Sequence, residues 1–120
     1  MMAPMSTPVG PYTPVVRAGD FVITSGQVGI AGGALVEGGL RAELTQAMVN
    51  LASVLESVGA SLDDVVKTTV FLTDMADYAE MNEVYTAALG EHRPARSAVA
   101  VAALPVGACV EIEAWAHLPR

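Results

Sequence analysis

One stretch of the chain, residues 40–58, repeats its apolar side chains at the spacing of an α-helix. The apolar positions are Leu40, Leu44, Ala47, Met48, Leu51, Val54, Leu55 and Val58. They share one face of a helix whose opposite face is polar, and Gly59 is well placed to end it in a left-handed conformation. Such a helix needs an apolar surface to cover that face. This requirement constrains the fold more than any other feature of the sequence.

A β-branched run further along the chain supplies such a surface. Residues 65–72, VVKTTVFL, place apolar side chains on both faces of a strand, which is typical of a strand inside a sheet. Ser61 and Asp64 precede the run at the spacing of a capping box. A second helical pattern covers residues 75–89 and begins after the potential N-cap residue Asp74. The sequence therefore predicts a central strand between two helices.

Both ends of the chain alternate apolar and polar residues with the period of a β-strand. Residues 15–17 and 21–28 flank a turn and predict a first hairpin. Residues 99–103 and 110–114 also alternate, and a turn with Pro and Gly separates them. This pattern predicts a second hairpin. The glycine-rich residues 29–39 predict a loop, without the Lys-Ser/Thr of a phosphate-binding loop. The order β-β-α-β-α-β-β predicts an α+β fold, a mixed sheet with two helices on one face.

The length of 120 residues predicts a single domain over residues 1–120. Residues 1–14 contain four prolines and are predicted to form an extended arm. Of the whole chain, 52% of the residues are hydrophobic and 16% are charged, which is apolar for so small a domain. The apolar excess predicts a large interface between subunits.

Several classes of protein and site are not expected. The net charge of −7 repels phosphate backbones, so no nucleic acid partner is expected. Neither an apolar run of ~20 residues nor a signal peptide is present, so we expect no membrane partner and a cytoplasmic protein. The single cysteine, Cys109, is interpreted as a small buried hydrophobe. His92 and His117 lie far apart and no other ligand spacing accompanies them, so no metal is expected.

The segment from Pro94 to Glu113 contains the charged residues with the clearest chemical meaning. Pro94 favours extended structure, so Arg96 should lie at the entrance of a strand. A guanidinium group is a natural receptor for a carboxylate. Glu111 and Glu113 share one face of the last predicted strand. By residue type alone, a structural ion pair of Arg96 with one of these glutamates across the hairpin is the favoured interpretation.

The same segment resembles the signature of the RidA/YjgF family of reactive-intermediate (imine) deaminases. The matching residues are Pro94-Ala95-Arg96-Ser97, a hydrophobic strand, Leu104 and, after five intervening residues, Val110-Glu111-Ile112. Other family landmarks follow in the same order: Gly10-Pro11-Tyr12, Ile23-Thr24-Ser25-Gly26-Gln27, Val66-Lys67-Thr68-Thr69-Val70-Phe71, and Asn82 with Tyr85. The resemblance covers nearly the whole chain.

The resemblance implies a chorismate-mutase-like fold of the bacillus type and a homotrimer with clefts between its subunits. It implies an enzyme that hydrolyses reactive 2-imino or enamine acids, such as 2-iminopropanoate and 2-iminobutanoate, to a 2-oxo acid and ammonia without a cofactor. In this reaction Arg96 would hold the substrate carboxylate and Glu111 would activate water. The ion pair suggested by residue type gives way to a ligand site in that context.

The resemblance also implies which residues line the substrate pocket. These residues are Tyr12, Ser25, Gly26, Asn82 and Ala98, the last through its main-chain carbonyl. By residue type alone, Tyr12 is more typical of an anchor for the arm and Gly26 of a β-bulge. Asn82 would ordinarily be exposed or locally bonded on a helix. The roles of all five therefore depend on the resemblance.

Two departures from the family pattern bear on the substrate. Ala98 stands where the family often has cysteine, and Arg93 stands where an aromatic residue is often found, in a shortened segment over residues 85–94. Both put the preferred substrate side chain in question. Lys67 is interpreted as a rim charge or an intersubunit pair outside the site. Two other functions stay open: a non-catalytic, ligand-binding or chaperone-like trimer, and an endoribonuclease, which the net charge disfavours.

Overall fold

The computed structural model describes residues 10–120, so most of the predicted arm, residues 1–9, lies outside the described residues. The described chain contains seven strands and two α-helices. In chain order they are β1 (Val15–Ala18), β2 (Phe21–Thr24), β3 (Ile30–Ala31), β4 (Ala34–Leu35), α1 (Gly39–Glu56), β5 (Val65–Leu72), α2 (Tyr78–Leu89), β6 (Ala95–Ala100) and β7 (Val110–His117). Short 3₁₀ turns lie at Leu62–Asp64, Met75–Asp77 and Pro105–Gly107.

Five of the strands form one mixed sheet in the order β1-β2-β7-β5-β6. Strand β6 runs parallel to β5, and the other neighbours are antiparallel. The parallel pair follows from the crossover through α2, because two strands joined by a helix on one face of a sheet run in the same direction. The predicted α+β fold with a mixed sheet is confirmed.

The predicted second hairpin is wrong, because β6 and β7 are not neighbours. Strand β5 lies between them and bonds to both. The Pro-Gly turn does exist, with Val106 and Gly107 at φ values of 54° and 74°, but the chain that leaves it crosses over β5. Strand β7 then pairs on both of its sides, with β2 and with β5. A central position satisfies more backbone hydrogen bonds than a hairpin at the sheet edge.

The glycine-rich segment over residues 29–39 is not only a loop, since β3 and β4 form a short hairpin within it. Gly32 and Gly33 occupy its turn with φ values of 63° and 85°. Positive φ at both central residues suits a two-residue hairpin turn. The Asn50 amide of α1 donates to the carbonyls of Val28 and Ile30, each at 2.9 Å, and so ties the segment to the helix.

Both helices pack on the same face of the five-stranded sheet and form the core with it. On α1 the fully buried side chains include Leu44, Leu51 and Leu55. The sheet contributes alternate residues, among them Val22, Val70, Leu72, Val110, Ile112, Ala114 and Ala116. The predicted capping box before β5 is present, with the Ser61 amide donating to Asp64 Oδ2 at 2.9 Å.

The opposite face of the sheet is not covered by any element of residues 10–120. Its apolar side chains include Phe21, Val99 and Trp115, which are 40%, 41% and 44% exposed. The Phe21 and Trp115 rings meet edge to face at 6.0 Å between centroids. Within the described chain, no helix is both long and apolar enough to cross a membrane. We call this surface the open face of the sheet.

Candidate active site

Glu111 is the second residue of β7 and lies on the open face. It is in register with Phe71, and both neighbours of Glu111 in the strand, Val110 and Ile112, are fully buried against the helices. The carboxylate is half-buried. Burial, and after it the charge of Glu113, raises the pKa of Glu111 above its ordinary value of 4.5. A half-buried carboxylate with a raised pKa is a stronger base than an ordinary glutamate.

The segment that follows β2 packs directly against the Glu111 carboxylate. A Cβ atom at Gly26 would overlap that group and would lie 2.7 Å from its Cδ atom. The main chain of Gln27 holds the segment in place, because it exchanges hydrogen bonds of 2.7 and 3.0 Å with Ile112. Gly26 therefore leaves room for the carboxylate in this position, and a side chain there would displace it.

Ser25 joins this segment to the end of the N-terminal arm. Its hydroxyl donates to the Thr13 carbonyl at 2.6 Å, and its amide donates to the Pro14 carbonyl at 2.8 Å. Tyr12 lies just before these residues and is 42% exposed. We call Tyr12, Ser25, Gly26 and Glu111 the glutamate cluster.

Arg96 lies on the other face of the sheet, against α2. Its guanidinium group lies over the Tyr85 ring at 4.8 Å from the centroid and over the Tyr78 ring at 5.6 Å. It donates to the Tyr78 hydroxyl at 3.1 Å and to Met81 Sδ at 3.6 Å. Within residues 10–120, no carboxylate lies within ion-pair distance of Arg96. The structural ion pair with Glu111 or Glu113 is therefore wrong.

Asn82 and Ala98 lie on the same side of the sheet as Arg96. Asn82 follows Tyr78 by one helical turn, and its Oδ1 atom is buried without a hydrogen-bond partner among the described residues. A buried amide oxygen without a partner is costly unless a ligand satisfies it. Ala98 packs against the core from β6. We call Tyr78, Asn82, Tyr85, Arg96 and Ala98 the arginine cluster.

Strand register shows that the two clusters do not meet within one chain. Arg96 is in register with Thr68, and Thr68 with Ala114, and both of these side chains are buried beneath the helices. Glu111 is three residues from Ala114 and so points the other way. The structure therefore brings Glu111 together with Gly26 and Ser25, and Arg96 together with Asn82 and Ala98. It places the two predicted catalytic side chains on opposite faces of one sheet.

The sequence also matches a known family model, described as endoribonuclease L-PSP, over residues 3–118. The chain belongs to this family, the RidA/YjgF family. Its curated relatives include the mouse protein named 2-iminobutanoate/2-iminopropanoate deaminase, 46% identical over 90% of this chain and 82% of that protein. A RutC family protein from Pyrococcus horikoshii is 45% identical over 92% of this chain and 89% of its own length.

Solved structures of family members share the fold. RidA from the Antarctic bacterium Psychrobacter sp. superposes with a TM-score of 0.91 at 44% identity, covering 95% of this chain and 94% of that one. A protein of Thermotoga maritima, titled a putative endoribonuclease, also gives a TM-score of 0.91, at 43% identity, with 97% and 93% of the two chains covered. The expected membership of the family and its fold are confirmed.

Sequence reasoning missed Tyr78 as a neighbour of Arg96. The available signal was helical spacing, because Tyr78, Asn82 and Tyr85 fall at i, i+4 and i+7. Lys67, which was interpreted as lying outside the site, donates to the Ser97 hydroxyl at 2.8 Å on the open face. No group of three or more His, Cys, Asp or Glu side chains in the described part of the chain is placed to hold a metal ion.

Proposed function

We propose that this protein is a hydrolase of small 2-imino and enamine acids, with Arg96 as the carboxylate receptor and Glu111 as the general base. The observation that carries the proposal is that the Arg96 guanidinium group is held in place but has no carboxylate partner among residues 10–120. Two tyrosine rings hold its guanidinium group, and no carboxylate of the described residues neutralises it. Such a group is ready to receive the carboxylate of a ligand. The names of the mammalian relatives support the same substrate class.

The reaction needs only a held substrate and one base. Arg96 binds the carboxylate of the 2-imino acid through two parallel hydrogen bonds, which fixes the neighbouring C2 atom. Glu111 takes a proton from water as the water oxygen bonds to C2, and a carbinolamine forms. Glu111 then returns the proton to the nitrogen. As the C–N bond breaks, the carbinolamine hydroxyl gives its own proton to Glu111, its oxygen forms the C=O bond of the 2-oxo acid, and ammonia leaves. The raised pKa of Glu111 favours this exchange, because a base works best near the operating pH.

The remaining members of the clusters hold the nitrogen and close the pocket. The buried Oδ1 atom of Asn82 and the main-chain carbonyl of Ala98 accept from the imine or amine N–H groups. Tyr12, Ser25 and Gly26 border the water side beside Glu111. The substrate side chain lies toward the segment before Pro94. Its preferred size depends on Arg93 and Ala98, which depart from the family pattern.

One complete site requires two copies of the chain. Because Arg96 and Glu111 lie on opposite faces of the sheet, a substrate that touches both must lie between one copy's arginine cluster and a neighbour's glutamate cluster. The exposed apolar side chains of the open face, such as Val99 and Trp115, supply a surface for that association. We infer a homotrimer with its active sites between subunits. The apolar composition of the chain supports such an assembly.

The deciding experiment generates 2-iminopropanoate with an amino-acid oxidase and traps the remaining imine as its semicarbazone. Wild type should lower the rate of semicarbazone formation. Arg96→Ala and Glu111→Gln should each reduce this activity about 10²- to 10⁴-fold. Arg41→Ala and Glu113→Gln are the matched controls, since each removes the same kind of charge without removing an assigned group, and they should retain most activity.

An inactive wild type, tested also with branched and aromatic imino acids, would contradict the proposal and favour a non-catalytic binding trimer. An endoribonuclease is the activity named in the description of the family model. The net charge of −7 disfavours RNA as a substrate of this chain. Salt-sensitive RNA binding near neutral pH is the result that would favour it.

A further inference from the structure

A second buried carboxylate, Glu43 of α1, lies in the protein without a role in the chemistry described above. Only 6% of its surface is exposed. Its Oε1 atom accepts a hydrogen bond of 2.8 Å from the main-chain amide of Cys109. Buried carboxylates are costly unless they make such a bond, so Glu43 holds a defined position.

The bond fixes the point at which β7 begins. Cys109 follows the irregular turn that contains Val106 and Gly107, and it precedes Glu111 by two residues. The Cys109 carbonyl accepts a bond of 3.2 Å from the Thr73 amide, so its main chain is held on two sides. The first strand residues after such a turn would otherwise fray. Glu43 therefore restrains the main chain that carries the candidate base.

The same residue also supports the segment on the other side of Glu111. Gly29 lies so close to Glu43 that a Cβ atom on it would approach the Glu43 Cα atom to 2.7 Å. Residues 26–29 connect this contact to Gly26, which lies against the Glu111 carboxylate, and to Gln27, which bonds to Ile112. The main chain of Glu43 thus contacts the segment that leads to Gly26, while its side chain bonds to the main chain that precedes Glu111.

We propose that Glu43 is a positioning residue that orients Glu111 for proton transfer through the Cys109 amide. This inference rests on the proposed hydrolysis of imino acids and names the residue that sets the geometry of its base. Glu43 contacts neither Arg96 nor the arginine cluster in any hydrogen bond of the described residues. It therefore acts on turnover and not on binding of the substrate carboxylate.

Three variants of the full chain separate the hydrogen bond from charge and from stability. Glu43→Gln removes the charge and keeps an acceptor at the same reach. Glu43→Asp keeps the charge and withdraws the acceptor by one methylene. Leu55→Ala creates a cavity in the core at the far end of α1 and serves as the control for lost stability. Each variant is assayed for imine hydrolysis as a function of substrate concentration and pH, beside its Tm.

We expect Glu43→Asp to lower kcat about 10- to 100-fold with little change in KM, and Glu43→Gln to keep wild-type kcat within about threefold. Should Glu43→Asp not fold, Glu43→Met, which keeps the side-chain length without the acceptor, replaces it. The inference is overturned if Glu43→Asp or Glu43→Met keeps wild-type kcat. It is also overturned if the loss of kcat in these variants is no larger than the loss in Leu55→Ala at equal Tm. An inactive wild type refutes the proposed function instead, so the two failures are distinguishable.

Discussion

The two faces of the five-stranded sheet both carry apolar side chains but differ in what covers them. On the helix face, Val70, Leu72 and Ile112 are fully buried, whereas on the open face Val99 and Trp115 remain more than two-fifths exposed. A strand pattern that is apolar on both faces requires cover on both. The helices of the chain itself cover one face. The other is left uncovered by residues 10–120, and the proposed homotrimer would cover it.

The same comparison holds for the chemistry of the protein. The arginine cluster lies beneath α2, where aromatic rings hold a guanidinium group, and the glutamate cluster lies on the open face, where half-burial raises the pKa of Glu111. Under the proposed function, each face supplies one of the two catalytic groups, and activity then depends on assembly.

The largest expected effect tests that separation directly. Arg96→Ala and Glu111→Gln, each inactive alone, should regain activity when they are unfolded together and refolded as a mixture. About one quarter of the subunit pairs then join an intact arginine cluster to an intact glutamate cluster. Imine hydrolysis by the mixture measures the recovery. Mixing Arg96→Ala with the double variant is the control, and no recovery in either mixture would place both halves of a site in one chain.

Truncating a buried side chain on the helix face should affect folding, whereas truncating one on the open face should affect self-association. Leu72→Ala removes a fully buried side chain and should lower the free energy of unfolding by about 2–5 kcal/mol. Trp115→Ala, on the open face, should instead weaken self-association, so that Tm depends more steeply on protein concentration. Denaturant unfolding and sedimentation measure the two effects. Unchanged sedimentation of Trp115→Ala would contradict a subunit interface on this face.

A smaller effect is expected from filling the space beside Glu111. Gly26→Ala places a methyl group against the carboxylate, and it should lower kcat about 10²-fold by displacing the base. Gly19→Ala is the control, because Gly19 has a positive φ of 62° and no nearby atoms, so its replacement strains a turn away from the site. If both variants kept wild-type kcat at similar Tm, the close approach of Gly26 would have no catalytic meaning.

The smallest expected effect concerns pH. Because the folded pKa of Glu111 is raised above 4.5, the folded chain retains a proton that the unfolded chain loses first as pH rises. The free energy of unfolding should therefore decrease as pH rises between the unfolded and the folded pKa, and Glu111→Gln should abolish this slope. Glu113→Gln removes the second cause of the shift. It should move the acid limb of the pH–rate profile to lower pH, and an unmoved limb would show that Glu113 does not act on the base.

Much of the fold could be predicted because it follows from local patterns. The helical spacing over residues 40–58 gave α1, and the alternation after Cys109 placed Glu111 and Glu113 on one face. Arg96 and Glu111 could be selected by residue type and family resemblance. Tyr78 was missed because an exposed tyrosine on a helix has no chemical meaning until its neighbour on the sheet is known.

The sequence by itself determined the two helices and the five strands of the main sheet and which side chains of each share a face, because these properties depend on residues a few positions apart. Only the tertiary structure decided that β5 lies between β6 and β7, since the choice of strand partners depends on hydrogen bonding and burial over the whole chain. That choice places Arg96 and Glu111 on opposite faces of the sheet. Under the proposed function, one chain therefore holds two half-sites, because side chains on opposite faces of one sheet cannot contact the same small molecule.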